Sequence, residues 1–133
     1  MSNYILSLEI STNLWSIAIK NKFYYVEINN YKKNKEKQII KIIDYILYIS
    51  ETKLNKINTI SFNFGPGSFT GIRLAAIICQ NLSLNKKKIT RISSIQNIAY
   101  ETHKKNKYIF ISLLSKYNEI YFCIYKHNIK KNI

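Results

Sequence analysis

The sequence has little that bends a backbone. Its 133 residues include three glycines and one proline. All four fall in one stretch, Gly65-Pro66-Gly67-Ser68-Phe69-Thr70-Gly71. That stretch is where the chain needs a positive φ or a close backbone approach. Carboxylates are also scarce, with seven acidic residues against 21 basic ones and a single aspartate, Asp44. A Mg-nucleotide site wants several oxygen ligands in octahedral array, and these residues do not assemble one. The two histidines, His103 and His127, are far apart in polar surroundings. Both read as surface residues, not as a metal-binding pair one helical turn apart. Cys79 and Cys123 sit among apolar neighbours, as buried thiols do in a reducing cytoplasm. No apolar run approaches the ~18 residues of a membrane span. The start, Met1-Ser2-Asn3-Tyr4, lacks the basic n-region of a secretory signal. The expectation is a cytoplasmic protein without membrane contact.

What is present is apolar and basic. Hydrophobic residues make up 47% of the chain, enough for one domain with a core and against disorder. The formal net charge is +14, which taken alone points to nucleic acid or another anionic surface. Only Arg73 and Arg91 are arginines, however, and the other basic residues are lysines. A dedicated nucleic-acid reader would use more arginine for phosphate forks and base edges. Lys, Asn, Ile, Tyr and Phe fill more than half the chain, and all five have AT-rich codons. Codon bias therefore explains the charge better than a binding patch does. The clusters at 32–37, 86–88 and 104–107 read as solvated loops.

Periodicity predicts strands at 4–10, 15–19 and 23–28, with Asn21-Lys22 as a hairpin turn. A helix is predicted over 36–50, with an apolar arc of roughly 180° on the helical wheel. A strand at 59–64 leads into the glycine stretch. A second helix follows over 72–84, apolar on all sides, so it needs a cover on more than the sheet side. A short strand at 88–92 follows, then a third helix capped by Ser93 or Ser94. The last two strands cover 108–113 and 119–125, with Asn118 as a left-handed turn residue. The order βββαβαβα then ββ indicates an α/β fold with a mixed sheet.

The glycine stretch itself keeps two readings. As structure, Gly65 and Gly67 make a tight strand-to-helix turn, while Ser68 or Thr70 caps the next helix. Phe69 is expected to pack as a staple, and Arg73 to cap or to pair with a carboxylate on a partner. As function, bare N–H groups at a helix N-terminus could hold an anion. There is no Walker lysine, because Ile72 follows Gly71. Ser68 has no His-Asp pair to activate it. Glu9 ends the first strand, either as a turn acceptor beside Ser11 and Thr12 or as a metal ligand, and the turn role is favoured. No catalytic, metal or cofactor-binding residue is assigned.

Four segments resemble one known family. Ile5-Leu6-Ser7-Leu8-Glu9-Ile10-Ser11-Thr12 is similar to its opening strand and turn, where that family carries Asp instead of Glu9. Gly65-Pro66-Gly67-Ser68-Phe69-Thr70-Gly71-Ile72-Arg73 matches its GPGSFTGVR loop without a gap. Ile92-Ser93-Ser94-Ile95 resembles its VSTL, and Glu119-Ile120-Tyr121 its GEVY. These are the marks of the TsaB (YeaZ) family. The resemblance implies an actin-like, RNase-H-like fold. It implies a non-catalytic subunit in making N6-threonylcarbamoyladenosine on tRNA, without a cofactor of its own. Implied partners are a TsaD-like catalytic subunit and a TsaE-like ATPase, with a possible homodimer and indirect contact with tRNA. Residues 65–71, Arg73 and Ile77 would then orient and form the partner-binding helix. Family members are usually longer. The expected division is an N-terminal actin-like domain over 1–106, and over 107–133 the first two strands of a truncated second domain. A small actin-like ATPase or kinase, and a basic RNA-binding module, are the alternatives.

Overall fold

The computed structural model describes residues 3–30, 36–84, 86–102, 107–115 and 118–126. Three strands open the chain: β1 (Tyr4–Glu9), β2 (Trp15–Lys20) and β3 (Tyr25–Asn30). Helix α1 (Glu36–Ile49) leads through a 3-10 turn (Leu54–Lys56) to β4 (Ile57–Asn63). Then come α2 (Phe69–Leu82), β5 (Lys88–Ile92), α3 (Ser94–Thr102), β6 (Tyr108–Leu114) and β7 (Ile120–Lys126).

The first five strands form one sheet in the order β3-β2-β1-β4-β5. β1 pairs parallel with β4, and β4 with β5, while β2 is antiparallel to its neighbours. This is the mixed sheet that the element order predicts. Parallel connections are right-handed. Both crossovers, β3 to β4 and β4 to β5, move the same way across the sheet, so α1 and α2 cover the same face. One core cluster forms there: Leu6, Leu8 and Ile10 beside Trp15, Ile17 and Ile19, under Ile39, Ile43 and Ile46 of α1 and Ala75, Ile78 and Cys79 of α2. Strand alternation puts every second residue of β1 and β2 into this layer. In β4 the inward residues are Ile57, Ile60 and Phe62, one step out of alternation at the start. The β1–β4 register shifts there, and Asn58 Oδ1 accepts the Tyr4 amide at 2.9 Å. The bulge re-aims the strand so that Ile57 and Ile60 both point inward.

Local chemistry explains several boundaries. Asn21 Oδ1 accepts from the amides of Phe23 at 2.7 Å and Tyr24 at 2.8 Å. That turn uses up their N–H groups, so β3 starts at Tyr25 and not at Phe23 as the apolar run predicts. Asn118 has φ 56° and makes the β6–β7 turn as expected. Ser93 Oγ accepts the Gln96 amide while Gln96 Oε1 accepts that of Ser93, a capping box that starts α3.

Three expectations change. Of the apolar arc on α1, Ile39, Ile43 and Ile46 are buried, but Ile40 and Ile49 are exposed. The arc is wider than the sheet can cover. Helix α2 runs over 69–82 instead of 72–84, leaving Leu84 past its end and exposed. Cys79 is buried, but Cys123 is only half-buried on β7, and both are free thiols. The histidines and the lysine-rich segments at 31–35 and 103–106 lie outside the described residues.

β6 and β7 form a separate antiparallel hairpin. Ile109 and Ile111 pack on Ala99, with Ile95 and Ile98 of α3 and Leu113 and Tyr125 around them. Helix α3 thus links the five-stranded sheet to this hairpin.

Candidate functional site

The glycine stretch crosses the carboxyl ends of β1 and β4. Ser68 is the N-cap of α2, and its Oγ accepts the Gly71 amide at 3.4 Å. The cap fixes the helix start right after Ser68, which is why Phe69 and Thr70 are helical. The Ser68 amide donates to the Ser11 carbonyl at 2.6 Å, so the helix entrance is tied to the turn after β1. Two of the amides that could face an anion are thereby used within the chain.

The glycines have distinct reasons. Gly65 has φ +106°, two residues after the end of β4 and ahead of the cis Gly65–Pro66 bond. Gly71 sits where a Cβ would lie 2.1 Å from the Ile10 carbonyl oxygen, and a Cβ on Gly67 would lie 2.5 Å from that of Ser11. The backbone of α2 therefore runs against the backbone after β1, with no room for a side chain between.

On the other side of the loop is a polar clasp. Glu9 Oε1 accepts from Ser11 N at 2.8 Å and Ser11 Oγ at 2.5 Å. Glu9 Oε2 accepts from Asn63 Nδ2. Asn63 Oδ1 accepts the Gly65 amide at 2.8 Å, and Asn63 also bonds Ser94 Oγ at 2.9 Å. Ser94 Oγ reaches the Pro66 carbonyl at 3.0 Å, and the Ser94 amide donates to the Gly65 carbonyl at 2.9 Å. A buried asparagine thus holds β1, the loop and α3 together. Such groups are kept by satisfying their hydrogen bonds. Glu9 is the turn acceptor that its place beside Ser11 predicts, with both carboxylate oxygens engaged inside the chain. Among the described residues, no three His, Cys, Asp or Glu side chains gather as a metal site.

Phe69 overturns the staple expectation. It is 71% exposed, and the Arg73 guanidinium lies 5.3 Å from its ring centroid. The first turn of α2 has only the β1 turn beneath it, and that place is taken by Gly71. Phe69 and Arg73 instead form a cation–π pair on the outer surface. Thr70 is exposed beside them, and Ile77 is 50% exposed one to two turns on. The helix is therefore not apolar all round. Gly71, Ala75, Ile78 and Cys79 face the sheet, and Thr70, Arg73, Ile77 and Gln80 face out. The predicted residues do gather in one place, with the loop underneath and Phe69, Arg73 and Ile77 on top. Burial pushes the Cys79 thiol up to about 12, so it stays protonated and unreactive.

Sequence reasoning missed Asn63 and Ser94. The signal for Asn63 was available, because an asparagine two residues before a glycine commonly bonds the backbone of the turn that follows. Ser94 had no such signal beyond its place at a helix start.

Comparison with known proteins agrees with this fold. A family model described as "TsaD: tRNA N6-adenosine threonylcarbamoyltransferase" matches residues 26–127. The tRNA threonylcarbamoyladenosine biosynthesis protein TsaB of Buchnera aphidicola subsp. Acyrthosiphon pisum is 36% identical, over 96% of this chain and 60% of its own length. The TsaB of Haemophilus influenzae is 31% identical, over 89% of this chain and 52% of its own. Among solved structures, YeaZ from Pseudomonas aeruginosa superposes with a TM-score of 0.80 at 20% identity, over 96% of this chain and 62% of that one. The fold is therefore the actin-like one. The chain spans little more than half the length of these relatives. With the ungapped glycine loop, the order of the four motifs and the fold in agreement, the chain belongs to the TsaB (YeaZ) family.

Proposed function

We propose that this chain is a non-catalytic scaffold in the synthesis of N6-threonylcarbamoyladenosine on tRNA, and that it holds a TsaD-like catalytic subunit through the outer face of α2. The single observation that carries this reading is the division of α2. Its inner face is fixed to the sheet and to the β1 turn, while Phe69, Arg73 and Ile77 stand outside with large apolar area exposed. Aromatic, arginine and aliphatic anchors on a rigid element are what protein interfaces use. The outer side of α1 adds Ile40, Tyr45 and Tyr48, each more than half exposed. The same face would serve a homodimer in the absence of the catalytic subunit. A TsaE-like ATPase would join the pair, and tRNA would be held mainly by the partner.

The polar clasp supports the non-catalytic part of this reading. In an actin-like fold the carboxyl ends of β1 and β4 are where a Mg-nucleotide would be held. Here Glu9 is occupied by Ser11 and Asn63, which favours a scaffold over an ATPase or kinase. The division of the chain near residue 106 belongs to the same proposal, with β6 and β7 as the opening strands of a second unit.

The test is co-expression with the TsaD-like protein of the same source, followed by mass measurement of the purified species. A 1:1 complex is expected, lost on Ile77→Lys. Failure of the two folded proteins to co-purify would overturn the proposal.

A further inference from the structure

One end of the five-stranded sheet gathers lysines. β1, β4 and β5 run parallel and start at that end, β2 finishes there, and α1 and α2 both return to it. Lys20 ends β2, and Lys22 lies in the turn after it. Lys53 and Lys56 lie between α1 and β4, and Lys86 and Lys87 lead into Lys88, the first residue of β5. The register places Lys20, Ile5, Thr59 and Lys88 in one row across four strands. At ~4.8 Å per strand that row spans ~14 Å. The segments 20–24, 50–58 and 83–88 contain one carboxylate, Glu51. Codon bias accounts for the number of lysines but not for this placement. Nor do the lysines serve the helix ends, since neither α1 nor α2 has a basic residue in its last turn. Between these segments opens a pocket of about 300 Å³ lined by Asn55, Ile57, Asn58, Lys86 and Lys87. Asn58 Oδ1 accepts the Tyr4 amide at 2.9 Å, which leaves the side-chain N–H groups of Asn58 as donors. Lys86 and Lys87 add ammonium donors, and no carboxylate lines the pocket.

We infer that this end of the sheet binds the phosphates of an RNA backbone. Ammonium and amide N–H groups both donate to phosphate oxygens, which sets the chemistry of the ligand. The extent of the charge selects a polymer over a small anion. One phosphate fills the pocket, whereas a row ~14 Å wide faces about four phosphates of a strand that carries one charge per ~3.4 Å of axis. Lysines hold a backbone without reading bases, which agrees with the shortage of arginine. The position also suits the proposed function. Helix α2 runs from the glycine loop to this end, and Ser83 and Leu84 follow it towards Lys86. RNA held on a partner beside α2 would therefore pass over the lysines. The inference rests on that function only for the identity of the RNA as tRNA, and it adds a direct contact to the partner's hold.

Salt titration of tRNA binding to the purified chain tests it. A dissociation constant of ~1–10 μM is expected at ~50 mM salt, weakening about 50- to 150-fold at ~200 mM, as four phosphate contacts imply. The double change Lys86→Asn and Lys87→Gln removes two of those contacts, and asparagine suits the Lys86 φ of 61°. It lowers the salt slope by about two and weakens binding about tenfold. Lys41→Glu, at an exposed place on α1, changes the net charge by the same amount and leaves binding within about twofold. Trp15 fluorescence reports that each variant stays folded. Equal losses for the two variants would mean that overall charge attracts the RNA, and would overturn the inference. So would tRNA binding that ignores the double change. Inorganic phosphate that displaces tRNA below ~1 mM at constant ionic strength would overturn it too, by marking the pocket as a small-anion site. The double variant keeps its complex with the catalytic subunit. Failure of the unaltered chain to form that complex overturns the proposed function and leaves this contact standing.

Discussion

Replacing Gly71 by alanine sets two effects against each other, and the structure says which wins. Gly71 lies in the first turn of α2. Helix propensity alone predicts that alanine there stabilises by up to ~1 kcal/mol. The added Cβ would, however, stand 2.1 Å from the Ile10 carbonyl oxygen and 3.0 Å from its carbon. Both are backbone atoms, so no side chain can rotate away. Relief needs α2 to move off β1 by about 1 Å, which stretches the Ser68–Ser11 bond of 2.6 Å and loosens Ala75 and Cys79 from the core. Overpacking of this kind costs ~1–3 kcal/mol and occasionally more, and one weakened hydrogen bond adds about 1 kcal/mol. The net expectation is a destabilisation of about 2–3 kcal/mol. Trp15 is the single tryptophan and is fully buried in that core, so its fluorescence follows urea unfolding. With m of roughly 1–3 kcal/mol/M, the midpoint should fall by about 1 M with m unchanged. Thr70→Ala, on the exposed side of the same turn, should leave the midpoint unchanged or raise it slightly. An equal or higher midpoint for Gly71→Ala would refute the reasoning.

Asn63→Ala removes the centre of the clasp and leaves Glu9, Gly65 and Ser94 short of a partner. A loss of about 2–3 kcal/mol is expected in the same urea assay, with faster amide exchange at Gly65 by NMR. Ser68→Ala deletes the α2 cap and should cost about 1 kcal/mol, whereas Ser68→Asp should restore most of it. Burial raises the Cys79 pKa to about 12 from a reference of 9.0. The folded state keeps this proton while the unfolded state loses it, so stability is full below pH 9 and falls as pH rises towards 12. Between those limits the loss is up to ~1.4 kcal/mol per pH unit. Comparing the alkaline unfolding profile with that of Cys79→Ala isolates the effect, since the variant should lose less stability over that window.

What the sequence determined was what near neighbours decide. Strand alternation sorted Leu6, Leu8 and Ile10 from Ser7 and Glu9. Asn21 and Asn118 announced their turns, because each of these signals acts over two or three residues, whereas the cap of α2 stayed open between Ser68 and Thr70 until the structure chose Ser68. The clustering of every glycine and the proline marked the loop before any contact was known. Tertiary structure alone decided what those residues face. Glu9 could have been a metal ligand until Asn63, 54 positions away, took its second oxygen. Gly71 looked like a weak helix residue until the Ile10 carbonyl proved to lie where its side chain would be. Phe69 read as a core staple and is exposed, because the space beneath the first turn of α2 is filled by backbone. A side chain's partner across the sheet depends on how strands far apart in sequence come into register, and periodicity carries no record of that.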